Sequence, residues 1–207
     1  MLARLESRLH LLTGGARDLP LRQQTLRGTI DWSYGLLSPA EQSLFRRISV
    51  FHGGCTLEGI EAVGNTKQDL ELGILEGIES LVDKSLVQHV DLAGGESRFV
   101  LLETIREYAA ERLAESGEEA ATRRAHAAYC LVLAEETASY TADPSRTEWV
   151  VTFDVDHDNF RAALQWLTET GNAEWGLRLA AALFRAASRL RSSWGLVVLH
   201  GPGDQRQ

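Results

Sequence analysis

Apolar residues recur at helical spacing along most of the chain, and the interruptions fall at glycine, proline and small polar clusters. Leu2, Leu5, Leu9 and Leu12 predict a short amphipathic helix that stops at Gly14-Gly15, followed by a loop from Asp18 to Pro20. Leu26, Ile30, Trp32 and Leu37 supply the apolar side of a second helix from about Arg22 to Leu36. Ser38-Pro39-Ala40-Glu41 is the sharpest local signal. Serine caps, proline fits the first helical position, and Glu41 stands where a capping box needs it. Leu44, Ile48 and Phe51 then face inward up to Gly53-Gly54, which ends that helix, and Thr56 caps a short one from Leu57 to Val63.

Asn65 to Gln68 reads as a turn. Leu70, Ile74, Leu75, Ile78, Leu81 and Val82 form the next stripe, ending at Lys84. Leu86 to Asp91 and Arg98 to Leu102 flank Ala93-Gly94-Gly95, the pattern of a β-hairpin. The second of these strands passes directly into a helix from Thr104 to Ala114. Helix, strand, hairpin and strand in this order make a winged helix over residues 22–115. Residues 116–142 carry an alanine-rich helix from Glu118 to Ser139, with Ala125, Tyr129, Val132 and Leu133 on one side. Asp143-Pro144-Ser145 reads as a linker, and Trp149 to Val155 as a short helix. Asn159 to Thr170 and Ala173 to Leu190 join at Gly171-Asn172 as a helical hairpin, in which Phe160, Leu164 and Leu167 can face Leu177, Ala181 and Phe184. One hairpin cannot bury both its faces, so residues 143–191 read as the start of a tetratricopeptide-like α-solenoid. After Arg191 the pattern breaks, and residues 192–207 are expected to fray. The fold class is mainly α, with one small hairpin.

Composition narrows the function. The net charge of −8 argues against a general attraction to phosphate backbones. Over Lys67 to Lys84, where a winged helix would place its recognition helix, two lysines stand against Asp69, Glu71, Glu76, Glu79 and Asp83, a net −3. Recognition helices approach phosphates with Arg and Lys, so packing against protein is favoured over DNA at this helix. Residues 1–30 differ: Arg4, Arg8, Arg17, Arg22 and Arg27 oppose Glu6 and Asp18, a net +3. That surface is either a docking face or, as charge runs usually are, a solvated one. Cys55 and Cys130 lie far apart and no CxxC occurs, which suits a reducing cytoplasm. No apolar run approaches the roughly 18 residues of a membrane span. Asp154, Asp156, His157 and Asp158 crowd together, but neighbours in sequence point apart, and Asp156 or Asp158 as a helix cap is the better account than a metal site. Trp32 and Tyr34 read as core anchors. No nucleophile elbow, zincin motif or phosphate-binding loop is present, so the chain is expected to be non-catalytic.

Three segments together resemble a known family. They are RQQTLRGTIDWSY from Arg22 to Tyr34, SPAEQSLFRRISVF from Ser38 to Phe51, and LVDKSL from Leu81 with LETIREYA from Leu102. The set is similar to the stretch that follows the nucleotide-binding domain in bacterial STAND ATPase regulators of the AfsR and LuxR-related kind. HDNFRAAL from His157 resembles the entry to their tetratricopeptide-like sensor. The resemblance covers residues 4–190. It implies a winged helix that clamps the ADP-bound state of an NB-ARC ATPase, helical repeats that receive a signal, and a transcriptional output. Since no GxxxxGK[ST] loop occurs, ATP and ADP are expected only with a P-loop ATPase domain outside this chain, in cis or in trans; self-association through the repeats is a further partner. Related proteins often carry Met-His-Asp at the strand-to-helix junction, with the histidine on the ADP phosphate. Here Leu101, Leu102 and Glu103 stand there, and Leu102 cannot donate a hydrogen bond. Arg22, Arg27, Asp31, Glu103, Arg106 and Glu107 are the candidate switch and interface residues, with ordinary helix-surface charge as the competing account. A DNA-binding regulator, touching the duplex through the wing or the Arg22–Arg27 surface, and a stand-alone interaction scaffold are the alternatives.

Overall fold

The computed structural model describes residues 26–65, 70, 72–92, 97–140 and 154–199, with backbone alone for 140 and 189–199. Its elements are α1 (Leu26–Gly35), α2 (Pro39–Ile48), α3 (Leu57–Gly64), α4 (Ile74–Asp83), β1 (Gln88–Asp91), β2 (Ser97–Val100), α5 (Glu103–Ser116), α6 (Glu119–Tyr140), α7 (His157–Glu169) and α8 (Ala173–Leu199). The predicted helix at residues 2–12, the hairpin tip at Gly94-Gly95 and the Asp143-Pro144-Ser145 linker lie outside the described residues. So does most of the Trp149 to Val155 helix. The chain forms two compact units, residues 1–126 and 127–207.

In the first unit α2 is the hub, packing against α3, α4 and α5. Its start is the predicted capping box: the Glu41 amide donates to Ser38 Oγ at 3.3 Å and the Ser38 amide to Glu41 Oε2 at 2.7 Å. Such a cap contributes about 1 kcal/mol. Leu44, Ile48 and Phe51 are buried as their spacing required. Leu44 enters between Gly64 of α3 and Gly77 of α4. A methyl group on either glycine would lie 2.8 and 2.7 Å from its δ carbons, so the absence of side chains lets the three helices close up. The helix ends at Ile48 rather than at Gly53-Gly54. The Ser49 and Phe51 amides turn back onto Arg46 and Ile48 carbonyls, and the glycine pair, at positive φ, instead feeds the chain into a sheet position.

That position is Cys55, which exchanges backbone hydrogen bonds with Phe99 at 3.0 and 2.8 Å. It adds a one-residue third strand to the antiparallel pair β1–β2, registered Gln88 to Val100 and Asp91 to Ser97. After α4 the chain turns sharply at Ser85 (φ 58°), where the Leu86 amide reaches the Leu81 carbonyl and the Ser85 amide reaches Val82, closing a Schellman motif that aims β1. The stripe of α4 divides: Ile78 and Leu81 are fully buried, whereas Leu75 faces outward. Trp32 is also outside. Ile30 and Tyr34, four residues apart, form the inner face of α1, and two residues on a helix turn Trp32 about 200° from Ile30. Tyr34 does anchor, with its ring 5.8 Å from Phe45 and 5.7 Å from Tyr108.

In the second unit Ala127, Cys130, Leu131 and Ala134 of α6 pack with Phe160, Ala163, Leu167, Leu179 and Ala182. On α7 the predicted Phe160 and Leu167 are buried with Leu164 packed beside them, whereas the stripes predicted for α6 and α8 are met only in part, by Tyr129 and Leu133 of α6. On α6 the small residues at 127, 130 and 134 face in and Val132 faces out. On α8 Leu179, Ala182 and Ala186 are buried, while Leu177 and Phe184 are 71% and 73% exposed. Both helices are apolar on more than one side, and the side that lets the backbones approach most closely is the buried one. The α7–α8 junction is the predicted one: Gly171 at φ 69°, with the Asn172 amide on the Leu167 carbonyl. The helix α8 continues past Arg191 to Leu199. No proline interrupts it there, and Gly195 alone costs only about 1 kcal/mol.

Candidate interface on the winged helix

The helix α4 stands where a winged helix carries its recognition helix, followed by the β1–β2 wing. Its exposed positions are Leu75, Glu76, Glu79 and Asp83, and the helix contains no basic residue. The wing adds exposed Gln88, His89, Val90 and Asp91. Its one arginine, Arg98, is buried and donates to the Gly54 carbonyl at 2.9 Å. The cations of the surrounding helices are committed elsewhere. Lys84 reaches back to Glu41 at 2.6 Å, and Ser80 donates to the same carboxylate. Burial alone would raise the Glu41 carboxyl, but hydrogen bonds from Lys84, Ser80 and the Ser38 backbone outweigh it and hold the pKa at about 2. Over residues 37–114 seven basic residues face thirteen acidic ones, a net −6.

A second ionic group ties α2 to the junction between α5 and α6. Gly117 (φ 74°) breaks the chain between α5 and α6 and presents Glu118 to two arginines of α2, Arg47 at 2.9 Å and Arg46 at 3.4 Å. Arg47 is 2% exposed and also donates to the Gly64 carbonyl at 2.9 Å. Neither this group nor the Glu41–Ser80–Lys84 group is visible in the sequence. Their members lie about forty to seventy positions apart, and only the adjacent Arg46-Arg47 on an otherwise inward helix hints at them.

The sequence-predicted residues fall into two places on α5. At its start, Leu101 is buried and Leu102 is half exposed in the N-cap position, where its side chain caps nothing. Glu103 forms a two-point pair with Arg106 at 2.8 and 3.0 Å, and Arg106 also donates to the Ser49 carbonyl at 3.3 Å. Glu107 lies half buried one residue on. Beside this group the His52 imidazole is held below its usual range, first by burial and then by the Arg106 charge. Further along, Arg27 and Asp31 of α1 meet α5: Arg27 pairs with Glu111 at 2.6 Å, and Asp31 accepts from the Tyr108 hydroxyl at 2.6 Å. Burial and then Asp31 push that phenol up. These two are thus ties between α1 and α5, separate from the Glu103–Arg106 pair. Arg22 lies outside the described residues.

In the second unit Asp156 occupies the N-cap of α7, but its buried carboxylate accepts from the Asn159 side chain at 2.8 Å, while His157 and Asp158 are exposed. Among the described residues no three His, Cys, Asp or Glu side chains converge as a metal set, and no helix is long and apolar enough to cross a membrane.

Comparison with known proteins agrees with the architecture. Residues 37–114 match the family described as winged helix-turn-helix domain. Proteins of Mycobacterium bovis and Mycobacterium tuberculosis, provisionally named HTH-type transcriptional regulators, are each 41% identical across 98% of this chain, which covers 23% of their length. A shorter uncharacterized protein of Mycobacterium tuberculosis is 41% identical over 57% of this chain and 30% of its own. No solved structure matches. Residues 37–114 are therefore a winged helix-turn-helix domain, carried in a chain that spans about a quarter of the regulators it is similar to.

Proposed function

We propose that this chain is a non-catalytic regulatory module of a longer transcriptional regulator of the STAND type, in which the winged helix packs against protein and the α7–α8 hairpin begins a helical sensor. The observation that carries the reading is the charge of α4. A helix in the recognition position that exposes Glu76, Glu79 and Asp83, and has no Arg or Lys, is built to be covered by protein rather than laid along phosphates. The size of the similar regulators supports it, because three quarters of their length is available for an ATPase and further repeats. Signal transfer would then be a population shift between a packed and an open arrangement of the winged helix, biased by whichever contacts differ between the two.

The test is coexpression of this chain with the upstream P-loop portion of a similar regulator. Association, and slower release of bound ADP than from the upstream portion alone, is expected. No association and no change in ADP release would overturn the reading. A DNA-binding regulator is the second reading. It is favoured by the family's helix-turn-helix description and by the names of the relatives. On this chain the duplex would have to avoid α4 and be met by other basic residues, such as Arg22 and Arg27.

A further inference from the structure

Between α4 and the wing runs a groove of about 310 Å³ lined by Leu75, Glu79, Val82, Asp83, His89 and Phe99. Residues 75, 79 and 83 are four apart and so stand in one row along α4. Leu75 is 53% exposed at one end of the row, and the two carboxylates follow it. The opposite wall is the wing, where the His89 ring lies 5.3 Å from that of Phe99. Among the described residues no cation lies in ion-pair range of Glu79 or Asp83, and the neighbouring Lys84 is held by Glu41.

From this groove we infer a docking site for a basic amphipathic helix of a partner protein, one that places a large apolar side chain against Leu75, Val82 and Phe99 and an Arg or Lys on each of Glu79 and Asp83. The inference rests on the packing role proposed above and names the surface and chemistry of the partner. Charge complementarity decides the occupant. A duplex or an acidic segment would be repelled by the carboxylate row. A wholly apolar segment would desolvate two carboxylates without pairing them, which is costly. A helix with basic residues at i and i+4 matches the roughly 5–6 Å between Glu79 and Asp83 Cβ positions, and Arg stems cover apolar surface while their heads pair.

The experiment is an NMR titration of the uniformly ¹⁵N-labelled full chain with an alanine-based helical peptide carrying one Leu and two Arg four residues apart. A twin peptide with Glu in place of Arg serves as the comparison. Saturable shifts confined to the amides of residues 75–83, 89 and 99 are expected with the Arg peptide and none with the Glu peptide. Glu79→Lys with Asp83→Lys should weaken binding by about tenfold or more, and Leu75→Asp comparably. Glu58→Lys, an exposed reversal on α3, should leave it within about twofold. If the double reversal perturbs the fold, Glu79→Gln with Asp83→Asn replaces it, with a smaller weakening expected. Shifts elsewhere, no saturable shift, or equal affinity in the groove variants would overturn the inference. So would upstream-domain association that survives Glu79→Lys with Asp83→Lys unchanged, and that result would leave the packing role itself standing.

Discussion

Glu118→Ala is expected to destabilise the first unit by about 2–4 kcal/mol, a fall of roughly 10 °C in its thermal midpoint. The carboxylate is a partner of Arg47, which is 2% exposed and also donates to the Gly64 carbonyl. Removing one partner of a buried ion pair costs more than the pair contributes when intact. Arg47→Met should therefore cost less than Glu118→Ala, because it removes the buried charge and leaves Glu118 with Arg46 near the surface. The double variant should be more stable than Glu118→Ala alone. Acid should reproduce part of the effect. Burial raises the Glu118 carboxyl, but the Arg47 hydrogen bond and the charges of Arg47 and Arg46 bring it below the usual range. A carboxyl lowered in the folded state adds stability that is complete above its unfolded pKa and lost as pH falls toward the folded one. Glu41, at about 2, behaves alike. Wild type should thus lose stability from about pH 4.5 downward, and Glu118→Ala should show a shallower loss. Urea melts from pH 7 to pH 2 check both. Equal slopes would remove Glu118 from the account.

Gly54→Ala is expected to cost about 3 kcal/mol or more and to displace the wing. The residue sits at φ 94°, and a methyl group there would meet Val100 Cγ2 at 2.7 Å and the Phe99 carbonyl oxygen at 2.9 Å. One of these neighbours is backbone and cannot step aside. The strain falls on the segment that holds the Cys55–Phe99 bridge and accepts the Arg98 guanidinium. Gly117→Ala is the contrast. Its φ of 74° carries a left-handed penalty of about 1 kcal/mol, but a methyl group would meet nothing within 4 Å. Denaturant midpoints compare the two directly. Similar losses would mean that backbone conformation alone, rather than contact with β2, decides the cost at Gly54.

What could be read from the residues was whatever the chain states locally. The Ser38 to Glu41 cap, the Thr56 cap with its Gly59 amide at 3.3 Å, and the turn at Gly171-Asn172 each depend on residues within six positions. The order of helix, wing and helix followed from periodicity. Faces were harder. For α6 and α8 the sequence offers two apolar stripes each, and only the partner helix decides which one is buried. The outward Phe184 and the buried Cys130 follow from that choice. Among the candidate site residues, Glu103 with Arg106 formed a pair because they lie three apart on one helix, whereas the ties of Arg27 to Glu111 and Asp31 to Tyr108 span some eighty residues. Such ties depend on how α1 is laid on α5, and no local pattern encodes that.

The most direct measurement of the central claim is a titration of fluorescent duplex DNA with the full chain at several salt concentrations. A protein-packing winged helix with an acidic α4 predicts dissociation constants no tighter than about 10⁻⁵ M near physiological salt. It also predicts that Glu79→Lys with Asp83→Lys binds the duplex no more weakly than wild type. Nanomolar binding by wild type, with log K falling against log salt at a slope of about −5 or steeper, would contradict it.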